Sequence, residues 1–96
     1  MKINEFQQLM KDIYFERDQK RGVEKTFIWL VEEVGELAKT FNKRYEKDEI
    51  DSEFADVLAW LCSVANLLNV NLEEMVTKKY SNCPRCKKKP CKCEIM

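Results

Sequence analysis

The chain has no histidine, and among its 96 residues it has only two glycines and two prolines. The absence of histidine excludes the Ser-His and Cys-His pairs that activate nucleophiles. Two isolated glycines cannot form a glycine-rich loop that holds phosphate. Both prolines, Pro84 and Pro90, lie near the C-terminus, so the strong turn signals are confined to that end. We therefore expect the rest of the chain to be helical.

An excess of charge and a long apolar run are also missing. Seventeen Lys and Arg balance 17 Asp and Glu, which argues against nucleic acid or an anionic membrane as a partner. The first residues, "MKINEFQQLM", lack the apolar core of a signal peptide. The longest apolar stretch, 54–68, is interrupted by Asp56, Ser63 and Asn66. We expect a cytoplasmic protein with no membrane contact.

The length and the distribution of charge predict one domain and a tail. A chain of 96 residues is slightly shorter than the usual domain of roughly 100–150 residues, so we expect a partner subunit or a metal to complete its core. From Lys78 to Lys92 there are seven basic residues and no acid. We assign residues 1–80 to a helical domain and residues 81–96 to a basic tail.

Apolar periodicity predicts an all-α domain of four helices. The predicted ranges are 4–18, 24–46 and 52–68, followed by a short helix after Asn71. We expect Asn4 and Gln7 to cap the first helix, and Asn71 with Glu74 to cap the fourth. The third helix is apolar on nearly every side, which predicts a central position.

Acidic residues recur at i, i+3 spacing on the second and third predicted helices, each time near a tryptophan. The two groups are Glu33, Glu36 with Trp29, and Glu53, Asp56 with Trp60. Like charges at this spacing repel, and the apolar neighbours of Asp56 predict that it is buried, where an uncompensated carboxylate is costly. If the two helices bring these carboxylates together, the all-oxygen site favours Mg²⁺ or Mn²⁺ over Zn²⁺. A solvated acidic face is the alternative, and it is strongest for Glu32.

An all-oxygen Mg²⁺ site indicates phosphoryl chemistry. Such a site keeps waters and completes its coordination with phosphate oxygens of a diphosphate or triphosphate. Since no other catalytic apparatus is found in the sequence, metals are the expected source of catalysis.

A family resemblance agrees with this chemistry. The pattern E-E-x-x-E at 32–36, then sixteen residues and E-x-x-D at 53–56, with the flanking "WLVEEVGEL" and "DVLAWL", resembles the signature of the MazG-like all-alpha nucleoside triphosphate pyrophosphohydrolases. The likeness covers residues 4–80. It implies a four-helix bundle that assembles as a homodimer or homotetramer. It also implies Mg²⁺-dependent hydrolysis of an NTP or dNTP to the monophosphate and pyrophosphate, in a house-cleaning or regulatory role.

The resemblance also implies roles for individual residues. By position, the metal ligands are Glu33, Glu36, Glu53 and Asp56. Glu33 and Glu32 are the candidate catalytic residues. For Glu32 three roles stay open: it binds a second metal, it orients or deprotonates water, or it faces solvent.

Basic and aromatic residues near the acidic pattern are candidates for binding the nucleotide. Lys43 shares the flank of Glu33 and Glu36 and is the preferred phosphate contact; Lys39 and Lys78 are further candidates. Trp29 and Trp60 are candidate walls for the base. The alternative interpretation is that the lysines only solubilise the surface and the tryptophans belong to the core.

The tail contains four cysteines at the spacing of a metal site. Cys83 and Cys86 are separated by two residues, and after four more residues Cys91 and Cys93 follow. This spacing resembles a very short tetrathiolate knuckle, for which Zn²⁺ is the expected structural metal. Two alternatives are a flexible basic tail with free thiols and a redox pair.

Two other functions compete with the leading prediction. One is the related phosphoribosyl-ATP pyrophosphohydrolase, which shares the helical acidic arrangement. The other is a nucleic-acid-binding or regulatory module whose tail is a zinc knuckle and whose acidic site is vestigial.

Overall fold

The structure is a computed structural model that describes residues 1–42 and 44–94. It contains four helices and, in these residues, no strand: α1 (Ile3–Arg21), α2 (Val23–Lys39), α3 (Lys47–Leu67) and α4 (Leu72–Lys79). The predicted all-α class and the number of helices are confirmed. Lys43, the preferred phosphate contact, lies outside the described residues.

The N-cap residue of α1 lies two residues before the predicted position, Asn4. Lys2 is the N-cap residue, and its backbone N–H donates to Glu5 Oε1 at 2.7 Å. The predicted capping by Asn4 and Gln7 is therefore wrong.

Gln7 instead connects α1 to the end of α3 and the start of α4. Its buried amide donates to Asn66 Oδ1 at 3.0 Å and to the Val70 carbonyl at 2.7 Å. Its carbonyl oxygen accepts from the Leu72 N–H at 3.0 Å. Because an unpaired polar group is costly to bury, these bonds fix the way α1 crosses the α3–α4 turn.

A single glycine separates α1 from α2. Gly22 has φ +90° and ψ 161°, a conformation that is essentially limited to glycine. Its N–H donates to the Asp18 carbonyl at 2.9 Å, and its carbonyl accepts from the Thr26 hydroxyl at 2.7 Å. Helix α1 therefore ends at Arg21, three residues after the predicted position 18.

Helix α2 ends seven residues earlier than the predicted position 46. At its end the buried Thr40 turns its hydroxyl back to the Leu37 carbonyl at 2.6 Å. The N–H groups of Thr40, Phe41 and Asn42 bond to carbonyls three residues before them, which tightens the last turn. Apolar periodicity continues through this turn, so periodicity alone did not reveal the end of the helix.

Helix α3 begins at Lys47, five residues before the predicted start. Glu46 is its N-cap residue, and Asp48 and Glu49 lie in its first turn, where the helix dipole favours acids. The predicted cap of α4 is confirmed at Asn71, whose side chain accepts from the Glu74 N–H at 2.9 Å.

Helix α3 packs against both α1 and α2, as its apolar composition predicted. The buried apolar core is small and consists of Met10, Leu30, Cys62, Val64 and Ala65. Large apolar residues at i, i+4, i+7 spacing remain exposed on both central helices: Phe27, Val31 and Val34 on α2, and Phe54, Leu58 and Leu61 on α3. We call these six residues the exposed apolar face.

Among the described residues, no single helix has the length and apolar composition needed to cross a membrane. Helices α3 and α4 pass that test only together, as a pair bent by 98°.

Candidate functional site

Helices α2 and α3 bring three carboxylates together. Oxygen atoms of Glu33, Glu53 and Asp56 all lie within 4.8 Å of one another. Glu33 and Glu53 are half-buried, whereas Asp56 is exposed, so the expected burial of Asp56 is not seen in the single chain. The site opens to solvent at Asp56, and its two glutamates lie deeper between the helices.

The electrostatics of this acidic site are unfavourable without a cation. Burial raises the pKa of Glu33, and the neighbouring carboxylates of Asp56 and Glu53 raise it further. Glu53 Oε2 is buried and accepts no hydrogen bond within the described residues. Within residues 1–42 and 44–94, no Lys or Arg forms an ion pair with Glu33, Glu53 or Asp56. Three unpaired oxygen donors fit a hard divalent cation such as Mg²⁺.

Glu36 and Glu32 are not part of this group. Glu36 Oε1 lies 3.4 Å from Lys39 Nζ, one turn along α2, and the side chain is about half exposed. Its charge still contributes to the raised pKa of Glu33, which indicates that it lies near the acidic site. Glu32 is exposed and also raises the pKa of Glu33.

Two stacked tryptophans lie one helical turn from the acidic site. The Trp29 and Trp60 ring centroids are 6.1 Å apart and the planes are inclined by 19°. The Arg21 guanidinium lies over the Trp60 ring, 5.0 Å from its centroid. Two groups therefore already contact Trp60, while Trp29 remains exposed.

A cavity of about 290 Å³ adjoins the acidic site between α1 and α3. Asp56 lines it together with Tyr14, Arg17, Asp18, Arg21 and Trp60. This volume is at the lower end of the range for small-molecule sites, and the two arginines give it a cationic wall.

Asp18 has an environment that no sequence pattern predicted. Its side chain is buried, with a relative exposure of 2% for the residue, and Oδ1 pairs with Arg21 at 2.8 Å. Oδ2 has no hydrogen-bond partner in the described residues. The i, i+3 spacing of an Asp and an Arg near a helix end predicts an ordinary surface ion pair. This aspartate is buried because α3 packs against α1.

The predicted lysine contacts are separated in space. Lys39 lies on α2 and pairs with Glu36. Lys78 lies on α4, where it pairs with Glu74 at 3.0 Å, and it does not line the cavity beside the acidic site.

The four tail cysteines form a second cluster. The Sγ atoms all lie within 4.8 Å of one another; they belong to Cys83, Cys86, Cys91 and Cys93. The Lys92 N–H donates to Cys86 Sγ and lowers the pKa of that thiol to about 6. Contact with the Cys91 thiol raises the pKa of Cys93 to about 12. The fifth cysteine, Cys62, is buried in α3.

The fold and the acidic site define a helical protein with a carboxylate site suited to a divalent metal. The family of the MazG nucleotide pyrophosphohydrolase domain matches residues 21–88, and the chain belongs to this family. The family acts on nucleoside triphosphates, typically with a divalent metal, so membership implies nucleotide pyrophosphohydrolase activity in general. The predicted family is confirmed. No curated protein matches the chain.

Proposed function

We propose that the chain is a Mg²⁺-dependent enzyme that hydrolyses a nucleoside or deoxynucleoside triphosphate to the monophosphate and pyrophosphate. The observation that carries this proposal is the group formed by Glu33, Glu53 and Asp56, three carboxylates without cationic partners in the described residues beside a cavity with arginines. We also propose a house-cleaning or regulatory role.

The metal ligands in this proposal are Glu33, Glu53 and Asp56, with Glu36 as the fourth. Glu36 joins them by exchanging its exposed contact with Lys39, which costs little because such surface pairs are worth about 1 kcal/mol or less. When bound, Mg²⁺ or Mn²⁺ neutralises charge on the phosphates and makes water more acidic.

The protein side chains position water and accept its proton. Water attacks one phosphorus atom of the anhydride between the α- and β-phosphates. A new P–O bond forms at that phosphorus, and its bond to the bridging oxygen breaks. The bridging oxygen leaves with the other phosphate group, so the products are the monophosphate and pyrophosphate. Glu33 and Glu32 are the candidate bases for the released proton.

Cations on both sides of the acidic site are available for the phosphates. Lys39 becomes free when Glu36 turns to the metal, and Arg17 lines the cavity beside Asp56, where Arg21 is already paired with Asp18. Arginine binds phosphate with two parallel hydrogen bonds, which suits the orientation of pyrophosphate. Trp29, the more exposed tryptophan, is the candidate wall for the base.

A homo-oligomer is also part of the proposal, because the exposed apolar face is too large to remain in water at little cost. We test it with Val31→Glu by light scattering. Val31 and Ile13 on α1 are both 53% exposed, so Ile13→Glu is the matched control. We expect Val31→Glu to reduce the oligomer to a smaller species and Ile13→Glu to leave it unchanged. An unchanged mass in both variants would exclude this face as the interface.

The activity is tested by pyrophosphate release from a panel of NTPs, dNTPs and phosphoribosyl-ATP with Mg²⁺. Glu53→Gln and Asp56→Asn should each lower the rate at least about 100-fold, since loss of even an outer partner of a metal ligand costs roughly 10- to 100-fold. Glu16→Gln, an exposed change on α1, is the control. Full activity in both carboxylate variants would refute the proposed site. Cleavage of phosphoribosyl-ATP alone would refute the NTP substrate and favour the competing enzyme.

A further inference from the structure

The cysteines of the tail form a compact group that the pyrophosphohydrolase site does not use. All four lie in residues 83–93, and none of them lines the cavity beside the acidic site. We propose that Cys83, Cys86, Cys91 and Cys93 bind one structural Zn²⁺ and that this ion folds the tail as a unit of its own.

The distances between the sulfur atoms match a tetrahedral zinc site. Cys83 Sγ and Cys93 Sγ are 3.7 Å apart, and Cys86 Sγ and Cys91 Sγ are 3.9 Å apart. Four sulfurs at about 2.3 Å from one ion, in tetrahedral directions, lie about 3.8 Å from one another. The two measured pairs, which use each cysteine once, therefore have the length of opposite edges of a zinc tetrahedron.

The same distances are too long for disulfides. A disulfide needs an S–S distance of about 2.05 Å, and all five cysteines are free. Thiolate sulfur is a soft ligand that favours zinc or iron over Mg²⁺, so this site and the carboxylate site select different metals.

The backbone around the cluster has the form of a metal knuckle. The Lys87 N–H donates to the Cys83 carbonyl at 2.7 Å, and the Cys83 N–H donates to the Lys88 carbonyl at 3.0 Å. The N–H groups of Lys92 and Cys93 donate to Cys86 Sγ and Cys91 Sγ, both at 3.3 Å. Amide donors of this kind stabilise the negative charge on ligating sulfur.

Charge near the cluster also suits a tetrathiolate. Four thiolates around Zn²⁺ leave a net negative charge, and five basic residues follow the first ligand: Arg85, Lys87, Lys88, Lys89 and Lys92. Cations at this short range offset that charge.

The knuckle has little polar connection to the helices. In the described residues, no hydrogen bond or ion pair links 83–94 to a helix, and the bonds within the tail are local. The zinc site and the carboxylate site are therefore expected to lose function independently.

The test is metal content and cobalt spectroscopy of the full chain, purified in reductant without a metal-binding tag. We expect about one zinc per chain, and after exchange with Co²⁺ the visible bands of tetrahedral cobalt together with thiolate charge transfer. Cys86→Ser and Cys93→Ser should each weaken Zn²⁺ binding more than the roughly 10- to 100-fold cost of losing an outer-shell partner. Cys62→Ala, the cysteine outside the cluster, should bind zinc like the original chain.

Several results would overturn the proposal. They are iron in place of zinc, loss of zinc binding in Cys62→Ala, unchanged zinc binding in both tail variants, and a mass that reveals disulfides in freshly reduced protein. Glu53→Gln separates the two sites: it should keep its zinc while losing pyrophosphate release. Zinc without hydrolysis in the original chain would refute the proposed function alone.

Discussion

Trp29 on α2 stacks on Trp60 of α3 with ring centroids 6.1 Å apart, so these two residues lie opposite each other on the helices that carry the acidic site. The helices run in opposite directions, so four residues forward on α2 correspond to four residues back on α3. Glu33 then lies beside Asp56, as the distances between their oxygens require. Three further residues along the same register, Glu36 is at the level of Glu53, although its side chain is turned to Lys39. This position on the helix is the reason for proposing Glu36 as the fourth metal ligand.

The first prediction concerns the coupling between these two rings. We expect a double-mutant cycle of Trp29→Leu and Trp60→Leu to give a coupling free energy of about 0.5–1.5 kcal/mol, the usual value for an aromatic pair beyond its buried area. The measurement is the free energy of unfolding in urea for the four proteins. The control pairs Trp60→Leu with Tyr80→Leu at the end of α4, and the effects of these two changes should be additive. Additivity of the two tryptophan changes would mean that the two rings do not stabilise each other.

The second prediction concerns the pH dependence of stability through Glu33. The pKa of this carboxyl is raised in the folded state, so the folded chain binds its proton more tightly than the unfolded chain does. The contribution of Glu33 to stability is therefore highest below its ordinary pKa and falls as pH rises through the raised value. In a metal-free chain at pH 7, Glu33→Gln should gain about 0.5 kcal/mol, the scale of one like-charge pair on a helix.

This gain should disappear when the pH is lowered to about 4, near the ordinary pKa of glutamate, because the original carboxyl is then neutral as well. The measurement is urea unfolding at a series of pH values in the presence of a chelator. The control is Glu16→Gln, an exposed change away from the acidic site. If the free energy of unfolding of Glu33→Gln differed from that of the original chain by the same amount at every pH, repulsion within the site would be contradicted.

Much of the fold is readable from the sequence, because helical periodicity and caps are local signals. The four helices, the break near Gly22 and the cap at Asn71 follow from such signals. The end of α2 does not, since Thr40 stops the helix by a buried side-chain bond while the apolar pattern continues. Periodicity also cannot tell a core residue from an exposed apolar residue: Val31 and Val34 lie at helical spacing from Phe27 and from the buried Leu30, yet they remain exposed in the single chain.

The candidate site was readable in part for a similar reason. The i, i+3 spacing placed Glu33 and Glu36 on one flank, but the partner of each side chain depends on rotamers, and in the structure Glu36 reaches Lys39. The cavity with Asp18 and Arg21 depends on how α1 crosses α3, which no local pattern encodes. The cysteine cluster is readable because its four ligands lie within eleven residues.

The third prediction compares the two glycines. Gly22→Ala should destabilise the chain by about 1–3 kcal/mol, because alanine is strained at φ +90°. Gly35 lies inside α2 with open space around it in the described residues, so Gly35→Ala should stabilise the helix by about 0.5–1 kcal/mol. Thermal unfolding of both variants measures the difference. A loss of stability in Gly35→Ala would indicate that a partner subunit packs closely against this position.

The last prediction concerns Gln7, whose side chain joins three segments of the fold. Gln7→Leu fills a similar volume but removes the bonds to Asn66 Oδ1, the Val70 carbonyl and the Leu72 N–H. Buried groups left without partners cost about 1–3 kcal/mol, so we expect a loss of that size in the free energy of unfolding. Gln8→Leu is the control, because Gln8 is exposed and bonds only to Asp12 on its own helix. In Gln7→Leu, hydrogen exchange should show the loss of protection at the α3–α4 turn, beginning with the Leu72 amide. Equal stability of the Gln7→Leu and Gln8→Leu variants would mean that water replaces these bonds without cost.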